Sequence, residues 1–143
     1  MSGIAFAVKT ILPNIHVVGV SMERGPAMVA SLKAGRVVDI IEEPTLADAL
    51  AGGLNKDNKY TYPMVKQYVD ETVLVSEEEI ASAMWFCLNE HHLVVEGGAA
   101  VGVAALLSNK VTALGKNIAV VLSGANVPMQ VLKKVIDKGD MQK

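Results

Sequence analysis

The sequence predicts an α/β protein with a three-layer αβα arrangement, in which helices cover both faces of a mostly parallel sheet. Two observations carry this expectation. Short apolar runs rich in β-branched residues alternate with segments that show helix caps and helical spacing along the chain. Val and Ala supply 21 and 17 of the 143 residues, while Phe, Trp and Tyr together make only 4%. That composition suits strands buried on both faces and closely packed helices. With 51% hydrophobic content disorder is excluded, and one domain of this size buries about 68–70% of its unfolded surface.

Residues 2 to 12 are apolar at almost every position, so a helix there has no clear solvent face except at Lys9 and Thr10 and needs cover on both sides. Pro13-Asn14 ends it, and residues 16 to 20 read as a short buried strand. Pro26 and Gly35 bracket a helix over residues 26 to 34, followed by an expected strand from Val37 to Ile41. Thr45-Leu46-Ala47-Asp48 has the spacing of a capping box with Asp in place of Glu, and Gly52-Gly53 leaves room only for a short turn after it.

Pro63 is expected to open a helix that runs to about Val69, and Thr72 to Val75 is a strand closed by Ser76. Ser76-Glu77-Glu78-Glu79 is a capping box with acids in the first turn, followed by Ile80, Met84, Cys87 and Leu88 on one face. A strand is expected at Leu93 to Val95, then a tightly packed Gly- and Ala-rich helix to Leu107. Asn117 to Leu122 is the last expected strand, broken at Ser123-Gly124-Ala125-Asn126, and Pro128 starts the closing helix.

A net charge of -2 without a basic stripe argues against nucleic acid or an anionic membrane as partner. The nearly uncharged run from Gly97 to Asn109 is too short for the ~20 residues that cross a bilayer. The amino end lacks the basic region of a signal peptide. A single cysteine, Cys87, rules out an internal disulfide framework and fits a reducing cytoplasm.

In a parallel sheet, ligands bind beyond the carboxyl ends of the strands, which singles out Glu96 and Ser123. Glu96 is a carboxylate in an apolar, glycine-rich run, costly to bury unless it has a partner. Ser123 serves equally as a turn residue or as a ligand hydroxyl. Cys87 and His91 lie four apart on a helix, but two ligands do not fill a zinc shell, and the His91-His92 pair suits a helix carboxyl end. No metal site is expected. Gly98 and Gly102 form a G-x-x-x-G that reads as close helix packing. Neither a G-x-G-x-x-G nor a G-K-[ST] is present, so nucleotide binding has no fingerprint.

The ordered segments SMERGPAM, TLADALAGG, VLVSEEEIASAM, VVEGGAAVGVAALL and NIAVVLSGAN closely resemble the serine/threonine dehydratases. These are pyridoxal 5′-phosphate enzymes of the tryptophan-synthase-β fold. Within them, SMERGPAM, LADALAGGL and VEGGAAVG look most like the hydroxyectoine-utilisation branch. The resemblance implies that Ser123 hydrogen-bonds the pyridine nitrogen and that Gly124 lets the chain turn beside the ring. It places Glu96 near the ring and Ala49 where many members carry Gly. A hydroxyl does not hold the pyridine nitrogen protonated, so the ring is a mild electron sink suited to loss of a β-hydroxyl. Gly97 and Ala125 also replace residues common in the family, each small for small. Ser21 and Ala27 stand where some members have cation-binding carboxylates.

The resemblance further implies that residues 1–143 are the carboxyl-terminal part of a larger cofactor-binding domain, with the amino-terminal part of the fold absent. The family's glycine-rich phosphate loop and its S-x-K-x-R-G segment, whose lysine forms the Schiff base, do not occur in these residues. Ser31 to Arg36 mimics that segment only superficially, its Gly and Arg being reversed. The expected function is therefore a portion of a hydroxy-amino-acid ammonia-lyase, inactive alone, that gives a 2-oxo acid and ammonia through an incomplete cofactor site. The rival expectation is a non-catalytic split or degenerate module that packs on a separately encoded amino-terminal half or forms a homo-oligomer.

Overall fold

The computed structural model describes residues 1–112 and 115–140, with side chains through Gly139. Helix α1 (Ser2–Ile11) leads into strand β1 (Val18–Met22) and helix α2 (Ala27–Ala34), then a 3-10 turn (Asp48–Leu50). Helix α3 (Thr61–Tyr68), strand β2 (Glu71–Val75), and helices α4 (Glu77–His91), α5 (Gly97–Leu107) and α6 (Met129–Asp140) follow. The two strands pair in parallel, from Val18 opposite Glu71 to Met22 opposite Val75.

The α/β class and the parallel pairing stand, but the sheet of the described residues is shorter than expected. The strands expected at 37–41, 93–95 and 117–122 are not part of any ladder among the described residues. A strand exists only where a second backbone satisfies its N–H and C=O groups. An apolar run specifies burial but not that partner. Ile41, Leu93, Val94, Ile118, Val120, Val121 and Leu122 are accordingly exposed.

The helices follow their local chemistry. Ser76 caps α4: its side chain accepts the Glu79 N–H while the Glu79 carboxylate accepts the Ser76 N–H, so two otherwise orphaned donors are satisfied. Pro63 sits inside the first turn of α3 rather than opening it. The side chain of Asn58 serves the start of that helix instead, by accepting from Tyr62 N–H and the Thr61 hydroxyl. Pro26 is the residue before α2, and Gly35 ends that helix in the left-handed conformation at φ 69°. The expected capping box at Thr45 is absent, because the Thr45 hydroxyl is occupied by Glu77 and by Ala47 N–H.

The core lies between α4, α5 and the strand pair, where Val73, Val75, Ile80, Met84, Cys87, Val101 and Ala104 meet. Gly98 and Gly102 serve close packing, as their spacing implies: Gly102 faces Val120 and Gly98 faces Ala49 and Leu50. Helix α1 is covered on one side only. Ala5 is buried, and Phe6 stacks edge-on to Tyr68 of α3 at 5.4 Å, but Ile4, Ile11 and Leu12 face solvent.

Candidate functional site

Two loops abut the first turn of α5. Glu96 is the residue before that helix, in extended conformation. Its backbone N–H donates to the Gly124 carbonyl at 3.1 Å, and its carboxylate accepts the Asn126 N–H at 3.0 Å. A side chain at Gly124 would collide with that carboxylate. The partner that Glu96 requires is thus the 124–126 backbone, held at two points by one residue. A main-chain donor thirty residues away, such as Asn126 N–H, leaves no sequence signal.

Ser123, one residue before Gly124, is exposed, and its hydroxyl makes no hydrogen bond among the described residues. On the other loop, Ala49 sits in the 3-10 turn. A methyl group on Gly98 would lie 3.3 Å from the Ala49 Cβ. Any side chain at Gly97 would strike the Leu46 carbonyl, so the 45–50 segment rests directly on the helix backbone. Glu96, Gly124, Ser123 and Ala49 therefore gather on the two loops that abut the start of α5.

Other candidates disperse. Cys87 is buried in the core, where desolvation pushes its thiol up, whereas His91 is exposed and sits edge-on to Phe86 at 5.1 Å. The first is enclosed in the core and the second is open to solvent. His92 ends α4 in the left-handed conformation at φ 56°. Lys33 is exposed on α2.

The residues present fit one side of a flat, nitrogen-containing ring. The Ser123 hydroxyl makes no hydrogen bond among the described residues, and at Gly124 the Glu96 carboxylate takes the space of a Cβ. The second loop offers only a methyl group at Ala49. An exposed serine and small residues thus lie on two loops at the amino end of α5.

Residues 1–124 match the family model described as pyridoxal-phosphate dependent enzyme, and the chain belongs to that family. It is 45% identical over 139 residues to the L-threonine ammonia-lyase of Thermotoga maritima, covering 97% of this chain and 34% of that protein. It is 35% identical over 137 residues to the catabolic L-threonine dehydratase of Escherichia coli, covering 94% and 41%. Maize serine racemase superposes with a TM-score of 0.83 at 30% identity, over 96% of this chain and 43% of that one. Threonine deaminase isoform 2 of Solanum lycopersicum gives 0.82 at 29%, over 95% and 40%. The expected kinship with the serine/threonine dehydratases stands. The chain spans 34% and 41% of the lengths of these two curated relatives.

Proposed function

We propose that these residues form the ring-facing wall of a pyridoxal-phosphate-dependent hydroxy-amino-acid ammonia-lyase. Bound there, the cofactor supplies the electron sink for loss of a β-hydroxyl from a serine- or threonine-like substrate. Ser123 offers its hydroxyl to the ring nitrogen, Gly124 and Ala49 leave room for the ring, and Glu96 holds the Ser123 loop on α5. Polypeptide outside these 143 residues, of the kind the longer relatives carry, supplies the cofactor-linking lysine and the phosphate grip. It also covers the exposed apolar segments at 93–94 and 118–122. The SMERGPAM, LADALAGGL and VEGGAAVG segments support the hydroxyectoine-utilisation branch, and a reducing cytoplasm suits the lone buried thiol.

The observation that carries this reading is the Ser123 hydroxyl, without a hydrogen bond among the described residues, beside a glycine packed on the Glu96 carboxylate, in a chain 45% identical to an ammonia-lyase. The test mixes the purified chain with pyridoxal phosphate, L-serine and L-threonine. No 2-oxo acid is expected, and no visible band that depends on one of its own lysines. Joined to the portion of the Thermotoga maritima lyase that it does not match, the chain should release ammonia. Ser123→Ala should then lower kcat at least about tenfold, a loss of about 1.4 kcal/mol in barrier terms. Turnover by the chain alone, or full activity of the Ser123→Ala fusion, refutes the reading.

A further inference from the structure

Glu77 opens α4 and belongs to none of the positions carried over from the family. Its carboxylate is half-buried and binds at both oxygens: Oε1 accepts the Thr45 hydroxyl at 2.6 Å, and Oε2 accepts the Leu46 N–H at 2.7 Å. Both bonds are short and charge-assisted. The Thr45 oxygen in turn accepts the Ala47 N–H at 3.1 Å. Ala47 is fully buried and is the residue from which the 3-10 turn carrying Ala49 springs. The Leu46 carbonyl rests against Gly97. Upstream, Arg24 Nη1 donates to the Pro44 carbonyl at 2.7 Å. A continuous set of bonds thus runs from the carboxyl end of β2 to the base of one site loop.

A helix-dipole role alone does not explain this arrangement. Glu78 lies in the same first turn with the same charge, is exposed, and makes no such bond. What distinguishes Glu77 is a grip on two consecutive residues of another segment.

We propose that Glu77 is a positioning residue: it fixes segment 45–50 against the first turn of α5 and so sets how closely Ala49 stands to Gly98. Its importance for the cofactor rests on the functional reading above, but the grip itself is independent of it.

Amide hydrogen exchange on the purified chain, read by NMR, tests this. Glu77→Gln should speed exchange at Leu46, Ala47 and Leu50 at least about tenfold, the equivalent of losing about 1.4 kcal/mol of local stability. Glu78→Gln should leave those amides within about twofold. Thr45→Val should reproduce the effect, Thr45→Ser should restore the wild-type pattern, and the Glu77→Gln/Thr45→Val pair should be no worse than either single change. Wild-type exchange at Leu50 in Glu77→Gln, or equal acceleration by Glu78→Gln, overturns the proposal. Added pyridoxal phosphate reads the function separately. If the variants behave as expected while the cofactor, added to the chain joined to the Thermotoga maritima portion, protects neither Leu50 nor Gly98, the grip stands and the ring-wall reading falls.

Discussion

At the scale of single residues, the glycines at the start of α5 decide how closely the loops approach. Gly97→Ala places a methyl group against the Leu46 carbonyl, which belongs to a segment anchored by Glu77 and Arg24 and cannot retreat cheaply. We expect a loss of about 1–3 kcal/mol, the usual cost of overfilling a packed contact, measured by urea denaturation. Gly98→Ala brings a methyl group to a tight 3.3 Å from the Ala49 Cβ, a side-chain rather than backbone neighbour, and serves as the milder comparison. Glu96 shows what a sequence makes legible here. That a carboxylate in an apolar run needs a partner follows from solvation; that the partner is a main-chain N–H at 126 depends on the fold. Glu77 shows the opposite limit, since as one of three first-turn acids it carries no mark that separates it from Glu78.

At the scale of elements, the Ser76 cap is readable in the sequence, whereas the Thr45 box and most of the expected strand pairings do not form. Ser76 and Glu79 announce α4 by spacing alone, and the structure contains both reciprocal bonds. Replacing Ser76 by Ala should cost about 1 kcal/mol, within a range of about 0.5–2, seen as a lower midpoint in thermal unfolding. A Ser76→Thr protein should lie close to wild type. The segments at 37–41, 93–95 and 117–122 look like strands because they are apolar and β-branched. Whether such a run joins a ladder depends on a neighbour that local sequence does not name. The Glu96 N–H to Gly124 carbonyl bond is the one backbone link between the 93–96 and 117–124 stretches. The N-terminal helix was legible in extent, but its expected two-sided cover is present on one side only.

At the scale of the whole molecule, two ionic clusters tie distant elements together. Lys9 of α1 bonds Asp70, and His16, just ahead of β1, bonds Glu71 at the start of β2. The Lys9 ammonium, together with Val17 N–H, holds the Asp70 carboxyl below its usual range. Burial raises Glu71 and Glu79, but His16 and Thr112 outweigh it for the first, and Lys110 and Ser76 for the second. The bond to Glu79 raises Lys110 against its burial. Depressed carboxyls contribute stability above their ordinary values of about 4, and that contribution is lost as pH falls through the lower folded values. A raised lysine contributes fully below about 10.4 and loses its share as pH rises beyond it. Thermal midpoints should therefore be highest between about pH 5 and 9, and Lys110→Met should flatten the alkaline decline. Lys110 Nζ also reaches the Leu74 carbonyl and Glu23, while the same Glu79 oxygen that it meets closes the cap at Ser76. Loss of the carboxylate at position 79 thus disturbs a helix start, a strand end and the exit of a second helix in one step, so substitutions at 23, 76, 79 and 110 are expected to be non-additive.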